Sequence, residues 1–140
     1  MSKIWGYILV APGRPAAAQQ RKALDILGCD TGPIGTVWQD TIKRVSTRPR
    51  GQLAEREAML LAVQPGDTVV FANALCIGAG VKDVAWFLPE LQGKGVSIIV
   101  NGDIARIEPG GDLEALQARF ASAQNVSNKR RSLRGETKSR

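Results

Sequence analysis

The sequence predicts an α/β domain built on a mostly parallel sheet. Three observations carry this. Short, apolar, β-branched runs recur along the chain and alternate with segments of helical period. The opening stretch already reads strand, tight loop, helix. Ile4 to Val10 is apolar, Ala11-Pro12-Gly13 breaks the run, and Pro15 suits a first helical position. Ala16 to Leu27 then holds strong helix formers, and Gly28 suits the stop. No apolar run approaches the roughly 20 residues that span a bilayer. In open α/β sheets ligands gather at the carboxyl ends of strands, so the loop after Val10 is the first place to look.

The other elements follow in order. Ile34 to Trp38 reads as a second short strand. Gln39 to Pro49 is polar and basic, with Lys43, Arg44, Arg48 and Arg50 close together, and reads as a loop. Gln52 to Val63 reads as a helix with Leu53, Leu60 and Val63 inward and Glu55, Arg56 and Glu57 largely exposed. Pro65-Gly66-Asp67 is a turn. Thr68 to Ala72 is apolar throughout, as a central parallel strand should be. Val81 to Gln92 reads as a helix that Pro89 should kink or end near Leu88. Gly95 to Val100 is a fourth strand, Asn101-Gly102 a turn, and Ile104 to Ile107 a short fifth strand. Asp112 caps a last helix through Leu113, Leu116, Phe120 and Val126.

Composition narrows the chemistry. The chain has 140 residues, 44% of them hydrophobic, which fits one domain with a real core. The short N-terminal apolar run reads as a strand rather than a signal peptide, and a cytoplasmic location is expected. There is no histidine. Ser-His and Cys-His pairs and His-liganded zinc are therefore excluded within one subunit. Cys29 and Cys76 lack metal-type spacing and read as reduced, buried thiols. No cofactor or metal is expected. The net charge of +6 is uneven: Lys129, Arg130, Arg131, Arg134, Lys138 and Arg140 face only Glu136 in the last stretch, and the rest is close to neutral. A basic tail points to a polyanion, most simply nucleic acid, or to a solvated end that aids solubility.

The order of these motifs resembles the catalytic domain of the serine recombinases, the resolvase/invertase family. Gly6, Tyr7, Val10, Gln20, Ala23, Leu24 and Gly28 match its opening strand and helix without a gap. Pro65-Gly66-Asp67, Gly95-Val96-Ser97-Ile98 and the small residues Ala121 and Ala123 match later landmarks. The resemblance covers residues 3 to about 130. It implies a resolvase-like three-layer fold, with a four- to five-stranded, mostly parallel sheet flanked by helices and a long C-terminal helix. Residues 1–126 would form the catalytic-type domain and residues 127–140 a basic tail, flexible or a helix extension.

The reactive groups of that family are missing. Its strand arginine falls on Leu9 and its nucleophilic serine on Ala11. The acidic residue and two arginines after its third strand fall on Leu75, Cys76 and Ala79. Losing one preorganised donor costs roughly 10²–10³ in rate, and such groups act as a unit. Strand exchange is therefore not expected. Gln20, Arg48 and Arg50 remain as possible remnants, although ungapped register puts Leu53 at the position of the last arginine. Cys76 as a substitute nucleophile lacks a basic partner other than Lys82. Gly78-Ala79-Gly80 lacks the third glycine of a nucleotide loop.

The reading is a catalytically inactive recombinase-like protein that binds DNA or partner proteins. Lys129, Arg130, Arg131, Arg134, Lys138 and Arg140 would contact the polyanion. Leu113, Leu116 and Phe120 would form a homodimer or higher homo-oligomer interface; no membrane is involved. A structural or interaction protein that reuses the fold without DNA is the alternative, and an enzyme of new specificity at the remodelled strand ends is a third.

Overall fold

The computed structural model describes residues 2–32, 35–43, 52–101 and 104–138, without the side chains of 104, 105 and 130–138. The chain runs β1 (Ile4–Val10), α1 (Ala17–Ile26), β2 (Val37–Thr41), α2 (Ala54–Ala62), β3 (Thr68–Phe71), a 3-10 turn (Ala74–Ile77), α3 (Val81–Gln92), β4 (Ser97–Val100), β5 (Ile104–Ile107) and α4 (Glu114–Lys138). One sheet has the order β2-β1-β3-β4-β5. The first four strands are parallel and β5 is antiparallel to β4. The expected α/β architecture, the mostly parallel sheet and the C-terminal helix are all present.

The strand order explains the layers. From β1 the chain steps one way to β2, then back across β1 to β3 and on to β4. Right-handed crossovers put the helices of opposite steps on opposite faces. Accordingly α1 packs on one face, where Leu24 and Cys29 meet Ile8 and Val70. The other face holds the larger core: Tyr7, Leu9, Val69, Phe71 and Ile98 under Leu53, Met59 and Leu60 of α2, Phe87 and Leu91 of α3, and Leu116 and Phe120 of α4.

Local signals act as expected at α1. Gly28 takes φ +94, the Cys29 N–H reaches Leu24 O at 3.0 Å, and the Gly28 N–H reaches Asp25 O at 3.0 Å. This is a Schellman stop, which favours glycine because a Cβ disfavours that backbone conformation. The Pro65-Gly66-Asp67 turn also forms, and its aspartate does more than turn the chain. Asp67 accepts from the Lys3 N–H, the Trp5 indole and the Gln64 N–H, at 2.9, 2.8 and 2.9 Å. It ties the start of β1 to the start of β3.

One boundary differs from expectation, and at two others the structure takes one of the readings left open. The second strand lies later, at Val37–Thr41, and takes in Gln39, Asp40 and Thr41; Ile34 is outside the described residues. Asp40 belongs there because the Tyr7 phenol donates to it at 2.8 Å. The same carboxylate accepts the Glu55 and Arg56 N–H groups at 3.0 Å each and so caps α2. Helix α3 runs through Pro89 to Gln92. Ala85, whose carbonyl loses its helical donor there, is exposed to water. Helix α4 continues through Gly135 to Lys138, so the basic tail is backbone-continuous with the last helix.

Of the interface residues expected at Leu113, Leu116 and Phe120, two are fully buried within the chain. Leu116 and Phe120 are 0% exposed and belong to the chain's own core, with Leu113 packed against it. Leu116 and Phe120 are consumed within one chain. Phe120→Ala should therefore cost about 3–5 kcal/mol in urea unfolding, whereas Val126→Ala, at a 48% exposed position, should stay within about 0.5 kcal/mol.

Asp67 sets an acid limit. Burial alone would raise its pKa, but the Lys3, Trp5 and Gln64 donors outweigh that and hold it below the usual carboxylate range. A lowered folded pKa gives stability that is full above the unfolded value of about 3.9 and is lost as pH falls through the folded value. Asp67→Asn should lower the urea midpoint at pH 7 and flatten its fall in acid. An unchanged pH profile would contradict this role.

Candidate functional site

The strand order places a topological switch point between β1 and β3, where chains leave in opposite directions. In open α/β sheets the crevice outside these carboxyl ends is the usual ligand site. The structure brings all five positions of interest to it. Leu9 and Ala11 lie at the end of β1; Leu75, Cys76 and Ala79 lie between β3 and α3. Leu9, Cys76 and Ala79 are buried, and Ala11 and Leu75 pack half-buried against the core.

The chain fills this crevice itself, in two layers. The deeper layer is Gln20. Pairing of β1 with β3 ends at Tyr7 opposite Phe71. The Lys3 carbonyl accepts from Thr68 on β3, whereas the Val10 carbonyl accepts from Ile42 after β2. By strand alternation the Leu9 N–H and C=O therefore face the side that β3 has left. The Gln20 amide takes both: its Oε1 accepts from the Leu9 N–H at 3.1 Å and its Nε2 donates to Leu9 O at 2.8 Å. It also donates to Pro15 O at 2.8 Å. Gln20, fully buried, stands in for the next peptide unit of β3.

The outer layer is Arg14, which the sequence reading did not single out. Its Nε donates to Leu75 O at 2.9 Å, and Nη1 donates to Pro12 O at 2.8 Å. Nη2 donates to Gly78 O at 2.6 Å and to Gln124 Oε1 of α4 at 3.3 Å. Its guanidinium carbon stands 6.0 Å from the Phe120 ring centre. A cation is thus present at the switch point, but backbone carbonyls and a side-chain amide surround it.

Behind Gly78 lies a second arginine. Arg56, expected on the exposed side of α2, is 0% exposed. Its Nη1 and Nη2 donate to Asp83 Oδ2 and Oδ1 at 2.7 and 2.6 Å, and its guanidinium lies 4.2 Å from the Phe87 ring centre. Asp83 also accepts the Ala79 N–H at 2.9 Å. A Cβ at Gly78 would meet Asp83 Oδ2, Val84 Cγ2 and Arg56 Nη1. Only glycine lets this backbone approach so closely. A signal for Arg56 existed in its spacing: residues 53, 56, 60 and 63 share one helical face, so Arg56 sits inside the apolar stripe.

Cys76 is not an activated nucleophile. Burial pushes its thiol up to about 12, although the Asn73 N–H and the Arg14 charge pull the other way. The Cys76 Sγ donates to Asn73 Oδ1 at 3.2 Å. Cys29 is also raised, chiefly by burial. Among the described residues no group of three His, Cys, Asp or Glu is placed to hold a metal ion, and no helix is long and apolar enough to cross a membrane. Lys129 is exposed on α4; Arg130, Arg131, Arg134 and Lys138 lie on its backbone, and Arg48, Arg50 and Arg140 are outside the described residues.

No protein-family model matches the sequence, and no curated protein matches it.

The Arg56–Asp83 pair generates a direct prediction. Removing one partner of a buried pair leaves an uncompensated charge and costs about 3–5 kcal/mol, whereas replacing both with apolar groups is far milder. Asp83→Leu should be severely destabilised in urea unfolding. Arg56→Met with Asp83→Leu should recover most of that loss. Additive costs would contradict a coupled pair.

Proposed function

We propose that the chain is a catalytically inactive, serine-recombinase-like protein that binds nucleic acid through the basic half of α4. One observation carries this reading: α4 continues as a single helix from its core-packed part into the basic segment. By helical register Leu116, Phe120, Gln124, Ser127, Arg131, Arg134 and Lys138 fall on one face, three or four residues apart. Along those positions the residue types run from apolar to basic. The helix starts after β5, at the amino edge of the parallel strands, and reaches the carboxyl edge at Gln124. Its basic part continues past that edge.

The matches quoted for the recombinase resemblance fall on coherent elements: Gly6 and Tyr7 in β1, Gln20 and Leu24 in α1, and Pro65-Gly66-Asp67 before β3. The filled switch point supports the inactive reading. A phosphate there would need preorganised donors and a nucleophile. The positions available hold Leu9, Ala11, Leu75, Cys76 and Ala79, and Arg14 is already bonded to carbonyls.

Duplex DNA binding at several salt concentrations tests this. If three to five cations engage, the log–log salt slope should be about −3 to −5, with little sequence preference. Replacing Arg131, Arg134 and Lys138 by Gln should flatten the slope by about 0.9 per lost contact. Denaturing gels after incubation with supercoiled DNA should show no covalent adduct. Undiminished affinity in the triple variant would remove the basic half of α4 from the function, and absent binding in the wild type would favour a protein-interaction role.

A further inference from the structure

The contacts of α4 change character along its length. Leu116 and Phe120 are locked in the core. Beyond them two polar attachments reach α4 from the loop between β1 and α1. Gln124 Oε1 accepts from Arg14, and Ser127 sits so close to Gly13 that a Cβ there would meet its Oγ. Both contacts come from the loop between β1 and α1. The same Arg14 side chain is bonded to carbonyls of that loop and of the segment leading into α3. It is therefore fixed to the body of the fold by three carbonyls before it meets α4. A planar fork of rigid donors suits this task, because one side chain can fix directions to several acceptors at once.

We propose that Arg14 is a positioning residue: it sets the line along which α4 leaves the carboxyl edge, and so where residues 129–138 are presented to a polyanion. The presentation half rests on the function proposed above; the positioning half does not. Helix ends open locally at low free energy, so loss of one clamp of this kind should register in their order. An ordered helix presents its cations without a further entropic cost on binding.

Hydrogen exchange read by mass spectrometry, together with binding of a 20-base-pair duplex, tests both halves on the full chain. Arg14→Ala should speed exchange about 10-fold over residues 121–130 while β1 and α3 keep their protection. Arg14→Lys keeps the charge but loses the fork, and should behave like Arg14→Ala. Gln124→Leu removes the acceptor on α4 and leaves the three carbonyl bonds of Arg14; it should loosen α4 alone, and it decides the question if Arg14→Ala fails to fold. Duplex affinity should fall about 3- to 10-fold in these variants with an unchanged salt slope, since the cations of residues 129–138 are all still present. Gly6→Ala, whose methyl would crowd Cys29 and Leu24 beneath α1, should lower Tm yet leave duplex affinity intact. Wild-type exchange over 121–130 in Gln124→Leu, or full protection in Arg14→Lys, would overturn the proposal. If the wild type binds no duplex, the functional reading fails and the exchange data alone still decide the role of Arg14.

Discussion

The buried pair of Arg56 and Asp83 is the constraint on which the carboxyl side of the sheet depends. Two full charges without solvent contact are tolerable only when geometry and extra hydrogen bonds offset desolvation. Here the fork is bidentate, the Ala79 N–H donates to the same carboxylate, and the guanidinium faces the Phe87 ring. The pair joins α2 to α3 and draws the Gly78 backbone against itself. From the opposite side Arg14 takes the Gly78 carbonyl. The segment between β3 and α3 is therefore held between two arginines, one buried against Asp83 and one reaching over from the loop after β1.

This arrangement changes what the switch point can do. Such crevices serve ligands because strand ends diverge and leave backbone groups free. In this chain Gln20 occupies the freed groups of Leu9, and Arg14 spans the gap above it. Polar capacity is present, but it is directed at the chain's own backbone. The unbalanced positive charge lies elsewhere in the sequence, in the last residues of α4. The proposed binding through that segment would need no crevice.

Much of the fold was legible because local rules and tertiary packing agree. The run Ile4 to Val10, the proline and glycine around α1, and the turn before β3 each follow from backbone preference and period. The misread parts have physical causes. Asp40 looked like loop because its partners, Tyr7 and the α2 N–H groups, are distant in sequence. Arg56 looked exposed because charge outweighed its place in an apolar stripe, and its partner Asp83 lies 27 residues away. Leu116 and Phe120 pointed to an interface because a sequence cannot say whether an apolar stripe meets its own core or another copy. Arg14 carried no signal, since one arginine in a loop is ordinary until its acceptors are seen.

The central claim is that the switch point is closed and that polyanions meet the chain on the far half of α4. Titrating a short DNA duplex into ¹⁵N-labelled protein, and following each backbone amide by NMR, tests it most directly. Shifts confined to residues 127–138, with residues 9–16 and 73–80 unmoved, are expected. Shifts centred on residues 9–16 and 73–80 would contradict it.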